Sequence, residues 1–371
     1  MRALALACVL ASGCVTWRGP FAPGLDAPRG EAAVSIVLLG EAGLTGRRAH
    51  ATADAVTQVL GRGDAVALLL GDHRAHRLDA RGRPRPDEGE APVMRAVASV
   101  PSVAIAGAAE AGTKAPGIGT VAVRIGKTGT PRVISRCEAR TCELVPEDDM
   151  HDDRLELVVL DIGAWRRAKL GDDDALARIE ALLDALARTP AKVPRVLVTY
   201  LPIEGGFEHG LGALAGPSAT FHNLPARVQE AIASGMFVGT IAGGEHAIHA
   251  THDVGRAVQR TDKTWLAQPV WQVVSGNASS PAGGHGTAWR KTKLARGVGF
   301  QPELATDRMG FAVIELGEAE ATLDVYARRN RKWWRARTAL ALHPLAHRGA
   351  RRAPRMPPCM RCDEVPSSDR R

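Results

Sequence analysis

The groups in this sequence that could do hydrolytic chemistry lie in loops that directly follow apolar runs. Five such runs are typical of buried strands, at residues 33–40, 65–71, 103–107, 195–200 and 236–242. The loops after them hold carboxylate, phenol and imidazole groups, on Glu41, Asp72, Glu110, Tyr200 and His246. Such groups could hold a metal ion for hydrolysis if the fold brought the loops into one cleft.

The rest of the pattern predicts the elements that position these loops. Residues 47–60 and 172–188 have helical spacing, and the second helix opens with three Asp residues and stops before Pro190. Further strand-like runs lie at residues 119–125, 132–137, 155–161, 270–275, 310–316, 322–327 and 333–342. Strand and helix alternate in the first third, which predicts an α/β sandwich with helices covering a mixed sheet.

The five loops resemble the motifs of the calcineurin-like metallophosphoesterase superfamily, especially its purple acid phosphatase-like branch. That family carries GDxG, GDxxY, GNH[DE], VxxH and GHxH after successive strands. This chain has GEAG (40–43), GDHRA (71–75), GAAE (107–110), VLVTYLP (196–202) and GGEH (243–246). The resemblance covers about residues 33–342, and it implies a four-layer α/β/β/α sandwich of the metallophosphoesterase type.

Some of the metal-binding positions that the resemblance implies are kept. The first Asp of the family falls on Glu41, which is still a carboxylate, and the metal-bridging Asp is Asp72. The acid of the third motif is Glu110, and the second His of GHxH is His246. The resemblance thus leaves Glu41, Asp72 and His246 as the metal-ligand candidates.

Other positions implied by the resemblance have lost the family's donor groups. The Tyr of the second motif falls on Ala75, the Asn ligand on Ala108, and the His that protonates the leaving group on Ala109. The VxxH ligand falls on Tyr200, and the first His of GHxH on Gly244. Because alanine and glycine side chains carry no donor atom, these losses argue against the family's two-metal site.

The function predicted from this pattern is that of a catalytically degenerate metallophosphoesterase-like protein, a pseudoenzyme with a binding role and no cofactor. The alternative is an active metal-dependent phosphoric ester hydrolase. It would use one divalent or trivalent ion, Fe, Zn or Mn, held by Glu41, Asp72 and His246, with Tyr200 as a fourth ligand.

The N-terminus predicts export. Residues 1–14 join one Arg to a short apolar run and end in ASGC, which resembles a lipobox with Cys14 as the lipidated residue. A plain secretory signal and a misassigned start codon remain alternatives. We expect residues 15–32 to form a tether. The predicted location is the periplasm or the outer membrane, with a lipid anchor in the bacterial membrane.

Two further cysteine pairs suit an oxidising compartment. Cys137 and Cys142 flank EART in a strand-like region, so they could join a hairpin. Cys359 and Cys362 form a CMRC motif in a Pro/Arg-rich tail. A small local disulfide is the simpler interpretation there, because a lone CxxC supplies only two of four zinc ligands.

The formal net charge of +8 comes from the C-terminal end. Residues 328–371 hold 13 of the 48 basic residues and 3 of the 40 acidic ones, so the rest of the chain is close to neutral. Within this segment, RRNRKWWRAR interleaves cations with Trp333 and Trp334. Anionic lipid or an acidic envelope polymer is the predicted partner of the basic tail, 343–371, and nucleic acid is not. A solvated tail after a turn and a strand is the alternative.

Two histidine groups fall outside this scheme, in DHRAH (72–76) and HAIHATHD (246–253). Either could be a replacement metal site, but surface or loop histidines are the simpler interpretation. A serine hydrolase is unsupported because the chain has no GxSxG motif.

Overall fold

The structure is a computed structural model of the chain. It describes residues 17–25, 34–61, 63–78, 84–87, 89–107, 110, 119–138, 140–145, 152–161, 173–203, 224–244, 247–252, 270–276, 278, 303–306, 308–317 and 320–342. None of the helices in these ranges has the length and apolar composition needed to cross a membrane.

The described elements form a mixed α/β fold. The helices are α1 (Arg47–Leu60), α2 (Pro92–Ala96), α3 (Asp173–Arg188) and α4 (Ala226–Ala233). The strands are, in chain order, β1 (Trp17–Arg18), β2 (Ala22–Pro23), β3 (Val34–Leu39), β4 (Ala65–Leu70), β5 (His76–Leu78), β6 (Pro84–Pro86), β7 (Ser102–Ile105), β8 (Val121–Gly126), β9 (Pro131–Val133), β10 (Ser135–Glu138), β11 (Thr141–Leu144), β12 (Asp153–Val159), β13 (Arg195–Thr199), β14 (Gly239–Ala242), β15 (Ile248–Thr251), β16 (Trp271–Ser275), β17 (Leu304–Thr306), β18 (Gly310–Leu316), β19 (Ala321–Arg329) and β20 (Lys332–Leu340).

Two large sheets organise the molecule. The nine-stranded sheet has the order β1-β17-β15-β16-β14-β13-β12-β8-β9, and the seven-stranded sheet has the order β2-β20-β19-β18-β3-β4-β7. Each contains a parallel block, β12-β13-β14-β16 in the first and β3-β4-β7 in the second. The pairs β5-β6 and β10-β11 form two small sheets of their own.

The largest apolar cluster lies between the two sheets. It joins residues such as Leu38 and Leu68 from the seven-stranded sheet to Leu157 and Val198 from the nine-stranded sheet. Successive side chains of a strand point to opposite faces, so the residues between these positions face outward. Each sheet therefore needs a second apolar cover on its outer face.

Helices supply that cover. On the seven-stranded sheet, Val37 and Leu69 form one cluster with Val56 of α1 and Val93 of α2. On the nine-stranded sheet, a second cluster joins strand residues to α3 and α4; its members include Val158, Leu197, Ile179, Leu183 and Ile232. The parallel blocks are thus buried on both faces, which explains why their strands are almost entirely apolar.

The structure differs from the sequence-based expectation in two places. Part of the segment 15–32, expected to be a tether, is paired: β1 adds to β17 and β2 adds to β20. The histidines of HAIHATHD are expected on the surface or on a loop, but Ile248–Thr251 is a strand and His249 is fully buried in it. Both segments are too short for periodicity to identify them as strands.

The cysteines of the β10-β11 hairpin face each other in register. Cys137 pairs with Cys142 across the two strands, and a disulfide bond joins them. Cys142 is buried and belongs to the cluster beneath α3, so the hairpin is fixed to the outer face of the nine-stranded sheet. Cys359 and Cys362 lie outside the described residues.

Candidate functional site

The carboxyl ends of the two parallel blocks face each other, and this brings the loops together. A Cβ atom built on Gly40, after β3, would clash with the carbonyl oxygen of Ser275, at the end of β16. One built on Gly243, after β14, would clash with the carbonyl oxygen of Leu70, at the end of β4. Such approaches leave no room for side chains, so glycine at these strand ends allows the sheets to meet.

A buried hydrogen bond joins the sheets beside this contact. The Ser275 hydroxyl donates to the carbonyl oxygen of Leu38, at 2.8 Å. The backbone N–H of Ala278 donates to the carbonyl oxygen of Gly40, at 3.0 Å. Loops of the two sheets are therefore held at fixed separation here.

Two carboxylate residues at this edge have left-handed backbone conformation. Glu41 has φ 54° and Asp72 has φ 53°, and both residues are buried. Positive φ is uncommon for residues other than glycine and is found more often at functional sites than elsewhere. The conformation turns the chain sharply after β3 and β4. The N–H of Glu41 donates to the carbonyl oxygen of Gly71, and that of Gly43 donates to the carbonyl oxygen of Asp72.

Glu110 is the centre of a hydrogen-bond network at the same edge. Its carboxylate accepts backbone N–H bonds from Asp72 (2.9 Å), Arg74 (2.8 Å) and Gly107 (2.7 Å). Bonds from N–H groups to a buried carboxylate are among the stronger ones in proteins. Glu110 thereby holds the loop after β4 against the loop after β7.

Tyr200 reaches Asp72 from the opposite sheet. Its hydroxyl donates a hydrogen bond to Asp72 Oδ2 at 2.7 Å. The ring lies so close to Gly71 that a Cβ atom there would be 2.5 Å from it. Tyr200 therefore makes a direct contact across the two sheets, to the carboxylate for which the resemblance implies a metal-bridging role.

The loop after β14 is fitted around Tyr200. The N–H of Gly243 donates to the carbonyl oxygen of Tyr200, at 3.2 Å, and the N–H of Gly244 donates to the same oxygen. A Cβ atom on Gly244 would lie 2.7 Å from that oxygen. Gly244 stands where the resemblance places a histidine ligand, and in this conformation the position has no room for one.

His73 lies beside Glu110. Its Nδ1 atom lies 3.8 Å from Glu110 Oε1, which is an ion pair only if the imidazole is protonated. In the sequence, His73 is grouped with His76 in DHRAH, and nothing in that motif connects it to Glu110. The signal that could have connected them is that each follows a strand of one parallel block.

Several carboxylate oxygens at this edge are engaged in hydrogen bonds within the protein. Asp72 Oδ2 accepts from a phenol, and both oxygens of Glu110 accept from backbone N–H groups. No group of three or more His, Cys, Asp or Glu side chains in the described ranges is arranged to hold a metal ion. Of the predicted ligands, Glu41 and Asp72 lie on adjacent strand ends, whereas His246 lies outside the described residues, as do Ala108 and Ala109.

Comparison with known proteins gives structural similarity alone. No protein-family model matches this sequence, and no curated protein matches it. Solved structures with a similar chain path include GAP50, described as the anchor in the inner membrane complex of Plasmodium. It is 11% identical with a TM-score of 0.47, over 84% of this chain and 89% of that one.

Two further solved structures are similar to the same extent. Purple acid phosphatase PPD1 from yellow lupin seeds is 15% identical with a TM-score of 0.49, over 83% of this chain and 54% of its own. PhoD is 13% identical with a TM-score of 0.46, over 86% of this chain and 70% of its own. This chain thus spans about half the length of the lupin protein. At such identities and TM-scores the similarity concerns the chain path alone, and the chemistry of this chain depends on its own residues.

Proposed function

We propose that this chain is an exported metallophosphoesterase-like protein of the cell envelope. Its strand-end site, formed by Glu41, Asp72, Glu110 and Tyr200, has a binding role and does not catalyse hydrolysis, so the chain is a pseudoenzyme. The four-layer α/β/β/α arrangement is part of the proposal, and the three apolar clusters, between the sheets and beneath each helix pair, support it. A hydrolytic site of this family needs metal ions to activate water and to neutralise charge on the phosphate.

The observation that carries the proposal is the hydrogen bond between Tyr200 and Asp72. The resemblance makes Asp72 a metal-bridging carboxylate, but its Oδ2 atom accepts a hydrogen bond from the Tyr200 hydroxyl of the other sheet at 2.7 Å. Glu110 is likewise turned to backbone N–H groups. These hydrogen bonds support the proposal, because they stabilise the carboxylates of Asp72 and Glu110 from within the protein.

The test is metal content together with turnover. Protein lacking residues 1–14 is incubated with Mn²⁺, Zn²⁺ or Fe²⁺, desalted and measured by elemental analysis, and then assayed on a generic aryl phosphate. We expect metal far below one ion per chain and no turnover above that of the free ions. Near-stoichiometric metal with turnover would overturn the proposal and favour the one-metal alternative at Glu41, Asp72 and His246.

A matched pair of variants assigns any activity that is found. Asp72→Asn changes the carboxylate after β4, whereas Asp64→Asn changes an exposed residue just before the same strand. Turnover lost only in Asp72→Asn would establish a hydrolytic site at Asp72. Equal turnover in both variants would indicate a contaminating phosphatase.

Export and lipid attachment at Cys14 belong to the same proposal. The support is the lipobox-like ASGC sequence and the disulfide bond between Cys137 and Cys142, which suits an oxidising compartment. Expression in a bacterial host with radiolabelled palmitate should label the wild-type chain and not Cys14→Ala. Label in both would place the lipid elsewhere, and label in neither would favour a plain secretory signal.

A further inference from the structure

The hairpin formed by β19 and β20 ends in a cluster of cations. We call residues 328–332 the basic hairpin tip; its four cations are Arg328, Arg329, Arg331 and Lys332. β19 and β20 pair without a break up to Arg329 and Lys332, so only Asn330 and Arg331 make the turn. Arg331 and Lys332 are exposed, so the tip presents their charges to solvent.

The turn carries an arginine where glycine would fit better. Asn330 has φ 50° and Arg331 has φ 62°, the pattern of a two-residue turn with both central residues left-handed. Such turns favour Asn followed by Gly, because a Cβ atom is unfavourable in the left-handed region. Arg331 thus places a cation at the outermost point of the hairpin at a cost to folding.

Three neighbouring residues of RRNRKWWRAR, namely Trp333, Arg335 and Arg337, contact other parts of the protein. Arg335 and Arg337 both pair with the buried Asp324, and the hydrogen bond that Arg337 donates to Asp324 raises the pKa of Arg337 above its usual value. The ring of Trp333 packs edge-on against Phe311, with 5.7 Å between centroids. This ring is therefore not available to stack on nucleotide bases. The exposed groups of the tip include cations, which favours binding to an anionic surface.

The tip also lies close to the N-terminal segment. β2 pairs with β20 beside the tip, and the N–H of Gly24 donates to the carbonyl oxygen of Trp333. Further towards the N-terminus, Trp17 pairs with Thr306. Thr306 is three residues before Met309, whose carbonyl oxygen accepts from the N–H of Arg328 at 2.8 Å.

Few residues separate the predicted lipid site from the first strand. Cys14 is three residues before Trp17, and three residues of chain span at most about 11 Å. A single acyl chain holds a protein to a membrane only weakly, and stable attachment takes a second signal such as a basic patch. A lipid at Cys14 and a basic tip within reach of the same surface would meet that requirement.

We propose that the basic hairpin tip binds the phosphate-bearing headgroups of an anionic lipid surface, beside the chain's attachment at Cys14. The proposal goes beyond the one for the strand-end site, and of the proposed function it rests only on the attachment at Cys14. It also places the binding on the structured hairpin, not on the tail 343–371.

The first test compares two charge reversals of equal size. Arg331→Glu with Lys332→Glu alters the tip, and Arg351→Glu with Arg352→Glu alters the tail by the same charge. Both are made in the full chain carrying Cys14→Ala, which has no lipid at that site. Binding is measured by co-sedimentation with vesicles of phosphatidylglycerol and phosphatidylcholine in equal parts, and with vesicles of phosphatidylcholine alone.

The expected result is specific to the tip. Each cation near an anionic surface raises binding by roughly five-fold, so the tip variant should lose about twenty-fold or more. The loss of vesicle binding in the tail variant should be several-fold smaller. Vesicle binding by the parent protein should fall as salt is added. An equal loss in both variants, a loss in the tail variant alone, or equal binding to the neutral vesicles would overturn the proposal.

The second test separates binding from folding. Arg331→Gly removes one cation and relieves the left-handed backbone, so the urea midpoint should rise while vesicle binding falls by roughly five-fold. A purely structural role for Arg331 would not weaken binding as stability increases. Unchanged binding in a more stable Arg331→Gly protein would overturn the proposal.

Discussion

At the scale of single residues, two carboxylates of the strand-end site accept hydrogen bonds from within the protein. Glu110 binds three backbone N–H groups, and Asp72 accepts from the hydroxyl of Tyr200. The residues expected at metal-binding positions and the residues that hold the loops are therefore partly the same. Their contribution to stability can be measured directly.

Glu110→Gln should destabilise the protein by roughly 1–3 kcal/mol. Both carboxylate oxygens of Glu110 accept hydrogen bonds from backbone N–H groups. In glutamine one of these oxygens is replaced by an NH₂ group, which cannot accept. In either orientation of the amide, at least one backbone N–H therefore faces another donor. Urea unfolding followed by circular dichroism measures the change. Glu143→Gln, at an exposed position of β11, is the control and should change little. Equal stability of the two variants would contradict the role assigned to Glu110.

At the scale of elements, the long apolar strands were predictable and the short pairings were not. Residues 65–71 and 310–316 form largely apolar runs, and the structure has β4 and β18 there. In contrast, β1, β2 and β17 have only two or three residues each, and their pairing depends on partners far along the chain. At the site, the departures from the metallophosphoesterase motifs that the chain resembles were visible in the sequence. The contact between Tyr200 and Asp72 was not visible there, because it joins residues 128 positions apart.

A buried ionic triad connects the strands of the nine-stranded sheet to the end of α3. Glu156 of β12 is fully buried between Arg124 of β8 and Arg195 of β13. Arg195 also donates to the carbonyl oxygens of Leu186 and Thr189, where α3 ends. These donors satisfy carbonyl groups that a helix end leaves without partners.

Neutralising Glu156 should cost the protein roughly 3–5 kcal/mol of stability. Glu156→Gln removes the counter-charge of Arg195 and one of the two of Arg124, which keeps its pair with Asp153. Removing one partner of a buried ion pair has costs of this size. Urea unfolding measures the loss. Asp152→Asn, which breaks the exposed pair with Lys127, is the matched control and should have little effect. A Glu156→Gln protein as stable as the control would contradict this account.

The disulfide of the β10-β11 hairpin should make a modest contribution to the stability of the folded protein. The two cysteines are only five positions apart, so the bond closes a short loop. By lowering the conformational entropy of the unfolded chain, it should stabilise the folded protein by about 2 kcal/mol. Cys137→Ala with Cys142→Ala should lower the urea midpoint accordingly, and a reducing agent should lower the midpoint of the wild type but not of the variant. An equal reductant effect in both proteins would assign the stabilisation to other cysteines and contradict this prediction.

At the scale of the whole molecule, the N-terminal segment connects the two sheets. Residues 17–25 place β1 on the edge of the nine-stranded sheet and β2 on the edge of the seven-stranded sheet. Phe21, between these strands, packs against the cluster between the sheets, and Leu25 packs against the cluster beneath α1. The segment expected to be a tether therefore supports the body as well as joining it to Cys14.

Truncation tests this structural role. Removing residues 1–25 should lower stability by about 2–3 kcal/mol relative to removing residues 1–14, because the apolar contacts of Phe21 and Leu25 are lost. It should also promote self-association, since an uncovered strand edge can pair with another chain. Urea unfolding and light scattering measure the two effects, and Phe21→Ala in the longer form should give a smaller loss with no association. If both truncated proteins unfold at the same urea concentration, residues 17–25 are only a tether, and the orientation of the basic hairpin tip towards the attachment site loses its structural support.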